Sequence, residues 1–251
     1  MKTENTLGTH HIFMTGLTSG IGEIVLKKAL ADGHSVMGIV RSEEQKKHLL
    51  VAYPERLTLY VADLRDGDSV LDIAHNLRSI RFSHILLNAG YAELGKLHEI
   101  SEESIFDMFE ANLVSHVMLL KNLLPSCLAN DTKICIVSSM AARIPGSNYA
   151  TYGMAKAALS YLVDALAFEY PKLRTLCVEI GGVATPFHTK AKSGFDLAHF
   201  KPQEETGKRL YQALLKREGF TTLYLDWAVL RFVLIHFHGL IMRLGRWKYG
   251  R

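Results

Sequence analysis

Residues 15–22 read Thr15-Gly16-Leu17-Thr18-Ser19-Gly20-Ile21-Gly22 and connect a short apolar segment to a longer amphipathic one. The three glycines allow a tight turn, a close approach of backbone to a pyrophosphate, and close packing of a helix on a strand. The N-terminus of the following helix offers free N–H groups and the positive end of its dipole to phosphate groups. The run lacks the Gly-Lys-Ser/Thr of a P-loop, and Thr18 stands where a hydrolase nucleophile elbow needs serine. The pattern therefore predicts a dinucleotide-binding turn.

Short apolar segments alternate with longer segments of helical periodicity up to about residue 225. Almost continuously apolar strands between amphipathic helices indicate a parallel sheet buried on both faces. Because crossovers are right-handed, we expect an α/β fold: a single-domain, doubly wound (Rossmann) parallel sheet of about seven strands with helices on both faces. The predicted strands are His11–Thr15, Ser35–Val40, Leu57–Val61, His84–Asn88, Lys133–Ser138, Arg174–Glu179 and Thr221–Leu225. The predicted helices are Ile21–Asp32, Glu43–Tyr53, Asp68–Ile80, Glu102–Leu128, Tyr152–Tyr170 and Gln203–Glu218.

Composition and charge exclude several classes of protein. With 48% hydrophobic and 22% charged residues among 251, the chain is neither disordered nor fibrous. Its three cysteines form no C-x-x-C pair, so neither a disulfide framework nor a metal site is expected. The net charge of +4 comes from the last 25 residues, which contain five cations and no acid, and this argues against a broad nucleic-acid-binding face. We found no signal peptide or transmembrane segment, and we expect a cytoplasmic protein.

Three further sites lie where a dinucleotide would need them. Arg41 follows the second strand, and Val40 precedes it where an NAD-specific site has an acid, so a cation there suits the 2′-phosphate of NADP. Asp63 ends the third strand and is a candidate acceptor for the adenine amino group. Asn88-Ala89-Gly90 ends the fourth strand, where small residues would let the backbone approach a ribose. The alternative readings are a solvated arginine, a helix N-cap and an ordinary turn.

A serine, a tyrosine and a lysine suggest proton-transfer chemistry. Ser139 closes the fifth strand, and Tyr152 and Lys156 share one face of a predicted helix because they are four residues apart. A phenol with a pKa near 10 is a poor base at neutral pH, and a neighbouring ammonium would lower that pKa. Tyr152 is then a candidate proton donor or acceptor for an alcohol or carbonyl oxygen, and Ser139 a hydrogen-bond partner of that oxygen.

Together these motifs resemble the short-chain dehydrogenase/reductase family, most strongly over residues 10–185. The resemblance also uses Asn112 and the run Gly182-Val183-x-Thr185. It implies a Rossmann fold, a nicotinamide cofactor and a catalytic tetrad of Asn112, Ser139, Tyr152 and Lys156, in which Asn112 holds a water for proton relay. The implied cofactor contacts are Gly16, Thr18, Ser19, Gly20, Ile21, Gly22, Arg41, Asp63, Leu64, Asn88, Ala89, Gly90, Tyr152, Lys156, Val183 and Thr185.

The sequence departs from the family pattern in the loop after the sixth strand, in the glycine turn, and in lacking the C-terminal Asp-Gly-Gly of many members. Gly181-Gly182 replaces the usual Pro-Gly after the sixth strand, which loosens a loop beside the nicotinamide. Thr18 and Ser19 stand where NADP-preferring members often carry a basic residue, so the preference for NADP(H) over NAD(H) rests on Arg41 alone. We therefore expect an NADP(H)-preferring oxidoreductase that interconverts an alcohol and a carbonyl of a lipophilic substrate. The alternative is a non-catalytic dinucleotide-binding regulator or scaffold with the same fold.

The catalytic domain is expected to span residues 1–226, with a substrate lid around 187–201. An amphipathic, basic C-terminal helix of the same domain would occupy 227–251. A helix from Trp227 to Trp247 would place its cations, Arg231 among them, on one arc and Val229, Leu230, Val233 and others on the opposite face. This helix could cover the core, wall a lipophilic pocket, contact a partner subunit or lie on a membrane surface. The resemblance implies a homodimer or homotetramer formed through the predicted helices 102–128 and 152–170.

Overall fold

The computed structural model describes residues 10–191, 196–237 and 239 of the chain. Seven strands form one parallel sheet in the order β3-β2-β1-β4-β5-β6-β9, and β7 and β8 form a separate parallel pair. The strands are β1 His11–Thr15, β2 Ser35–Val40, β3 Leu57–Val61, β4 His84–Leu87, β5 Lys133–Ser139, β6 Arg174–Ile180, β7 Val183–Ala184, β8 Lys201–Pro202 and β9 Gly219–Thr221. The helices are α1 Gly20–Ala31, α2 Glu43–Ala52, α3 Gly67–Leu77, α4 Glu102–Phe109, α5 Ser115–Ala129, α6 Ala150–Glu169, α7 Pro186–Lys190, α8 Gln203–Lys216 and α9 Leu225–His236. The predicted doubly wound fold is confirmed.

The sheet reverses its strand order beside β1, which pairs with β2 on one side and with β4 on the other. In open parallel sheets a ligand cleft lies at the carboxyl ends of the strands on both sides of such a point. One face of the sheet packs against α1 and α8, and the other face packs against α3, α5 and α6. Phe13 and Met14 of β1 are completely buried and belong to opposite clusters, because successive side chains of a strand point to opposite faces.

Two predicted elements differ from the structure. The helix expected over 102–128 is divided into α4 and α5 by a π-helical turn, Glu110–Val114. The strand expected at Thr221–Leu225 instead ends at Thr221, and Leu225 already begins α9. β9 pairs with β6 only over Leu176–Val178. The apolar residues after Thr221 pack on the core through α9, with Trp227 buried, rather than through a longer strand.

The orientation of α9 corrects the prediction for the tail. Arg231 does not lie on an outer basic arc, because its Nε donates a 2.6 Å hydrogen bond to the fully buried carboxylate of Glu179 in β6. Trp227 and Leu234 are buried on the same side of the helix. Val229, Phe232 and Ile235 are at least 44% exposed. The physical reason is that a buried carboxylate needs a cation, so the helix turns its arginine inward and several apolar side chains outward.

The rest of the predicted tail helix, including His238, Arg243 and Arg246, lies outside the described residues. Within the described ranges, no helix has both the length and the apolar character that a bilayer-spanning segment requires.

Candidate active site

A cleft of about 690 Å³ opens at the carboxyl ends of the central strands. It brings together nearly all of the residues predicted from the sequence to bind a cofactor. Those that line it are Gly16, Thr18, Ser19, Gly20, Ile21, Arg41, Asp63, Leu64, Asn88, Ala89, Gly90, Val183 and Thr185, together with Ser139, Tyr152 and Lys156. Gly22 and Asn112 do not line the cleft. A side chain at Gly22 would collide with the carbonyl oxygen of Gly16, so Gly22 serves the packing of the turn.

The glycine turn lies directly against the end of β4. Gly16 has a φ of +69°, and a Cβ atom there would lie 2.7 Å from the Ala89 backbone. Both constraints require glycine. The Thr15 hydroxyl accepts hydrogen bonds from the backbone N–H groups of Asn88 and Ala89, each at 3.1 Å, and the Asn88 amide donates to the Gly16 carbonyl at 2.9 Å. The ends of β1 and β4 thereby form one rigid wall of the cleft.

The far end of the cleft holds Asp63 between two arginines. Arg65 donates from Nε and Nη2 to the two oxygens of Asp63, at 3.1 and 2.8 Å, and from Nη1 to Asp107 at 2.6 Å. Hydrogen bonds from Arg65, with a smaller contribution from the charge of Arg41, lower the pKa of Asp63 and keep it ionised. Asp63 does not cap a helix, because Asp66 is the N-cap of α3. Arg41 is exposed, and its backbone N–H donates to the side chain of Gln45.

The predicted catalytic side chains converge where β5 ends and α6 begins. Ser139 is the last residue of β5, and its hydroxyl lies next to the phenol of Tyr152, whose pKa it lowers. Lys156 lies one helical turn further along α6, with Nζ 5.9 Å from the centre of the Tyr152 ring and 3.1 Å from the Val137 carbonyl to which it donates. Tyr152 is 8% exposed and Lys156 is 3% exposed, so little water reaches either group. The spacing of four residues thus produces the shared helix face that the sequence predicts.

The pKa of Tyr152 differs from the sequence expectation. Burial raises the pKa of the phenol to about 12, and the interaction with the Ser139 hydroxyl only partly offsets this. Burial also lowers the pKa of the Lys156 ammonium to about 8. Loss of hydration disfavours both charged forms and is the largest cause of both shifts in pKa. Tyr152 is therefore a protonated phenol at neutral pH.

Asn112 lies behind the cleft, within the π-helical turn. Its side chain accepts from the N–H of Tyr91 at 2.8 Å and donates to the carbonyl of the same residue at 2.7 Å. These two hydrogen bonds fix the backbone just after Gly90. A Cβ atom at Gly90 would lie 3.6 Å from the Lys156 ammonium. Asn112 is completely buried and is placed to hold the floor of the site.

Aromatic rings line the remaining part of the cleft. Phe187 lies 5.6 Å from the Tyr152 ring, and His188 lies 4.8 Å from the ring of Phe200. Tyr149 completes this group of rings. The residues around them belong to the predicted lid, of which 192–195 lie outside the described residues.

The Gly181-Gly182 pair has a structural explanation. A Cβ atom at Gly181 would lie 2.6 Å from the Trp227 ring, and one at Gly182 would lie 3.0 Å from the Phe200 ring. Trp227 belongs to α9, whereas Phe200 belongs to the lid segment. Only glycines therefore allow Trp227 of α9 and Phe200 to pack against the loop that follows β6.

A model of the short chain dehydrogenase family matches residues 10–196 of the chain. The chain belongs to this family. It is thereby an NAD(P)-dependent oxidoreductase, and it is similar in sequence to the 1,2-dihydroxy-1,2-dihydronaphthalene dehydrogenase of Pseudomonas putida, at 27% identity over 76% of each chain. The NADPH-dependent 3-dehydrocapnine reductase of Ornithobacterium rhinotracheale is 29% identical over 72% of this chain and 68% of that protein.

Solved structures share the fold. A short-chain dehydrogenase from Streptomyces avermitilis superposes with a TM-score of 0.79 at 24% identity, covering 97% of both chains.

Two residues of this short-chain dehydrogenase were not predicted from the sequence. Arg65 holds Asp63, and its only sequence signal is a cation two residues after the strand-end acid. His116 is completely buried between Thr15 and Asn112. Its signal is a polar residue one helical turn after a candidate catalytic asparagine.

Proposed function

We propose that the protein interconverts an alcohol and a carbonyl by hydride transfer to or from a nicotinamide cofactor. The proposed catalytic residues are Asn112, Ser139, Tyr152 and Lys156. The observation that carries the proposal is a single cleft that joins the glycine turn to the Tyr152 phenol and the neighbouring Ser139 hydroxyl, with Lys156 one helical turn away. A protein that only binds a dinucleotide has no need of Ser139, Tyr152 and Lys156 together.

The cleft fits a dinucleotide. Ser19 caps α1 without a side-chain hydrogen bond, so the N–H groups of the first turn remain available to phosphate oxygens. The left-handed Gly16 and its contact with Ala89 leave backbone, rather than side chains, facing that turn. Asp63 would receive the adenine amino group, and Val183 and Thr185 would contact the nicotinamide end.

Proton transfer would run through Tyr152. The bound nicotinamide supplies the acceptor or donor of the hydride. In carbonyl reduction the Tyr152 hydroxyl gives its proton to the substrate oxygen while Ser139 hydrogen-bonds the same oxygen. The Lys156 ammonium then stabilises the phenolate until the proton is replaced. With its pKa raised to about 12, Tyr152 carries the proton that this step requires before any ligand binds.

We further propose that NADP(H) is preferred over NAD(H). Arg41 lines the cleft next to Asp63 and is exposed, so its guanidinium is free to meet a 2′-phosphate. Val40 is a buried aliphatic residue and offers no carboxylate to a ribose 2′-hydroxyl. One relative is named as NADPH-dependent. Arg41→Ala should weaken NADPH binding about tenfold and leave NADH binding unchanged, as measured by fluorescence titration. Equal affinity of the wild-type protein for both cofactors would contradict the preference.

The substrate is proposed to be lipophilic. The part of the cleft beyond Tyr152 is lined mainly by Tyr149, Phe187, Phe200 and Ile144. His188 and Lys190 also line it, and its described lining contains no carboxylate. Such a surface favours an apolar or aromatic body next to the reacting oxygen. Phe187→Ala should raise KM for a bulky ketone more than for a small one.

A homodimer or homotetramer is proposed through α4–α5 and α6. These helices carry large apolar side chains on the outside of the protomer. Phe106, Tyr161 and Phe168 are 71%, 74% and 88% exposed, which is unusual for aromatic residues of an isolated domain. The exposure supports association through these faces.

We propose that residues 227–251 make a peripheral membrane contact in which Arg231 takes no part, because it is paired with Glu179. The apolar side of α9 would enter the surface, and four cations of the segment 240–251 would meet anionic headgroups. Co-sedimentation with phosphatidylserine-containing vesicles should fall at high salt and in Phe232→Ser. Equal recovery with and without vesicles would exclude the contact.

A substrate screen tests the central proposal. Purified protein with NADPH or NADP⁺ is scanned against ketones and alcohols by nicotinamide absorbance. Tyr152→Phe should abolish turnover and retain cofactor binding. Tyr161→Phe removes a phenol from the exposed side of the same helix and should keep full turnover. Cofactor binding without turnover of any substrate would instead favour the regulator or scaffold function.

A further inference from the structure

We propose that His116 is a positioning residue that couples the cofactor half of the site to the catalytic half; this inference rests on the proposed function. His116 is completely buried in the first turn of α5 and lines no part of the cleft. One ring nitrogen, Nε2, lies 3.2 Å from the Thr15 hydroxyl at the end of β1. The other, Nδ1, lies 2.9 Å from the main-chain oxygen of Asn112.

The partners of the imidazole determine its tautomer. A carbonyl oxygen can only accept, so Nδ1 must carry the proton and donate to Asn112. In a neutral ring Nε2 is then an acceptor, and it receives the Thr15 hydroxyl proton. The Thr15 oxygen already accepts from two backbone N–H groups, of Asn88 and Ala89, and so both its lone pairs are used. Every N–H and O–H in this chain of bonds then has an acceptor, and only this tautomer achieves that.

On the cofactor side, His116 orients the Thr15 hydroxyl. That hydroxyl holds the ends of β1 and β4 together at the point where the glycine turn meets Ala89. Without an acceptor for its proton, the hydroxyl would be free to rotate away from this arrangement. The affinity for the dinucleotide should therefore depend on the Nε2 bond.

On the catalytic side, His116 holds the Asn112 carbonyl. In the π-helical turn the Ser115 N–H donates to the carbonyl of Glu110, five residues earlier. Side chains, rather than backbone N–H groups alone, then donate to other carbonyls of the turn. The Ser115 hydroxyl donates a hydrogen bond to the Ala111 carbonyl at 3.2 Å, and Nδ1 of His116 donates to the Asn112 carbonyl. Because the Asn112 amide clamps the Tyr91 backbone beside Lys156, the Nδ1 bond fixes the floor beneath the catalytic lysine.

The arrangement persists over the working pH range. Burial, assisted by the charge of Lys156, lowers the pKa of His116 to about 4. The ring therefore remains neutral, and Nε2 remains an acceptor, at any pH at which the enzyme would act.

Two isosteric substitutions separate the two bonds. The side-chain nitrogen of asparagine takes the place of Nδ1, so His116→Asn keeps the bond to Asn112 and loses the bond to Thr15. The amide of glutamine reaches the place of Nε2, so His116→Gln keeps an acceptor for Thr15 and loses the bond to Asn112. His116→Leu loses both. His84→Gln is the matched control, because His84 is a buried histidine at the opposite ends of the strands.

The readouts are the NADPH dissociation constant by fluorescence titration, kcat at saturating cofactor, and the melting temperature. We expect His116→Asn to weaken NADPH binding about tenfold with kcat within about threefold of wild type, and His116→Gln to show the reverse pattern. His84→Gln should lower only the melting temperature. Identical effects of the Asn and Gln variants on both constants, or changes confined to the melting temperature, would overturn the proposal.

Thr15→Val breaks the same bond from its other end and serves if either histidine variant fails to fold. Combined with His116→Asn, it should weaken NADPH binding no more than Thr15→Val does alone, and additive losses would refute the coupling. Failure of the proposed function is distinct from these results. It would appear as a wild-type protein that binds NADPH without turnover, in which case the binding measurements still test the Thr15 bond.

Discussion

Replacing Arg231 by leucine is expected to destabilise the folded protein by about 3 kcal/mol. The Glu179 carboxylate is 0% exposed and is held by two guanidinium groups. Arg231 donates to Oε2 at 2.6 Å and Arg143 donates to Oε1 at 2.8 Å, with a weaker contact from the Ser160 hydroxyl at 3.4 Å. The substitution removes the only described partner of Oε2 and leaves a buried, partly compensated charge.

The expected loss of stability follows from the partners that Glu179 keeps in Arg231→Leu. Removing one partner of a buried ion pair costs about 3–5 kcal/mol. Arg143 still neutralises the carboxylate, and the Arg231 side chain is 25% exposed, so the lower end of that range applies. For a domain of this size, 3 kcal/mol corresponds to a fall in melting temperature of about 6–12 °C.

Urea unfolding followed by circular dichroism measures the change. Arg174→Leu is the control, because its pairs with Glu218 and Asp131 are on the surface and should contribute less than about 1 kcal/mol. Glu179→Gln in the Arg231→Leu background should recover part of the loss, since it removes a buried carboxylate charge that Arg143 alone compensates only in part. If Arg231→Leu costs no more than Arg174→Leu, α9 is not held by this pair and the explanation for its orientation is wrong.

Three other outcomes are expected. Burial lowers the pKa of His84 to about 3 and of His116 to about 4, so each stays neutral when folded but protonates near pH 6.5 when unfolded. Their contribution to stability is complete above about pH 6.5 and declines by about 1.4 kcal/mol per pH unit for each histidine as the pH falls towards those values; urea midpoints from pH 8 to 4.5 that do not change would contradict this. Gly181→Ala should force Trp227 to move, lowering stability by about 1–3 kcal/mol and changing tryptophan fluorescence; an unaltered spectrum and urea midpoint would refute the contact. Phe168→Asp should shift the protein to monomers in analytical ultracentrifugation, and an unchanged assembly would place the interface elsewhere.

Which residues line the cleft could be predicted almost completely from the sequence. Glycines, strand-end polar residues and a Tyr-x-x-x-Lys pair are local patterns, and local geometry brings their members together. Lys156 shares a helix face with Tyr152 because α-helices have 3.6 residues per turn. Gly16 is required by the conformation of a single turn and by the backbone next to it.

Residues whose roles depend on distant partners could not be predicted in this way. The raised pKa of Tyr152 comes from its enclosure by several elements, whereas the sequence shows only a cation four residues away. The inward orientation of Arg231 is set by Glu179, 52 positions earlier in the chain. Helical periodicity cannot reveal that partner, because an arginine is ordinarily assigned to the solvent face.

Hydrophobic periodicity and short motifs encode the doubly wound sheet, the position of the cleft and the chemical groups at its ends, because each of these depends on residues that are close together in the chain. Three features became evident only in the folded chain: the direction in which α9 faces, the need for two glycines after β6, and the link that His116 makes between Thr15 and Asn112. Each of these depends on contacts between segments that are remote in sequence. Such contacts are set by the packing and charge balance of the interior, which no local pattern records.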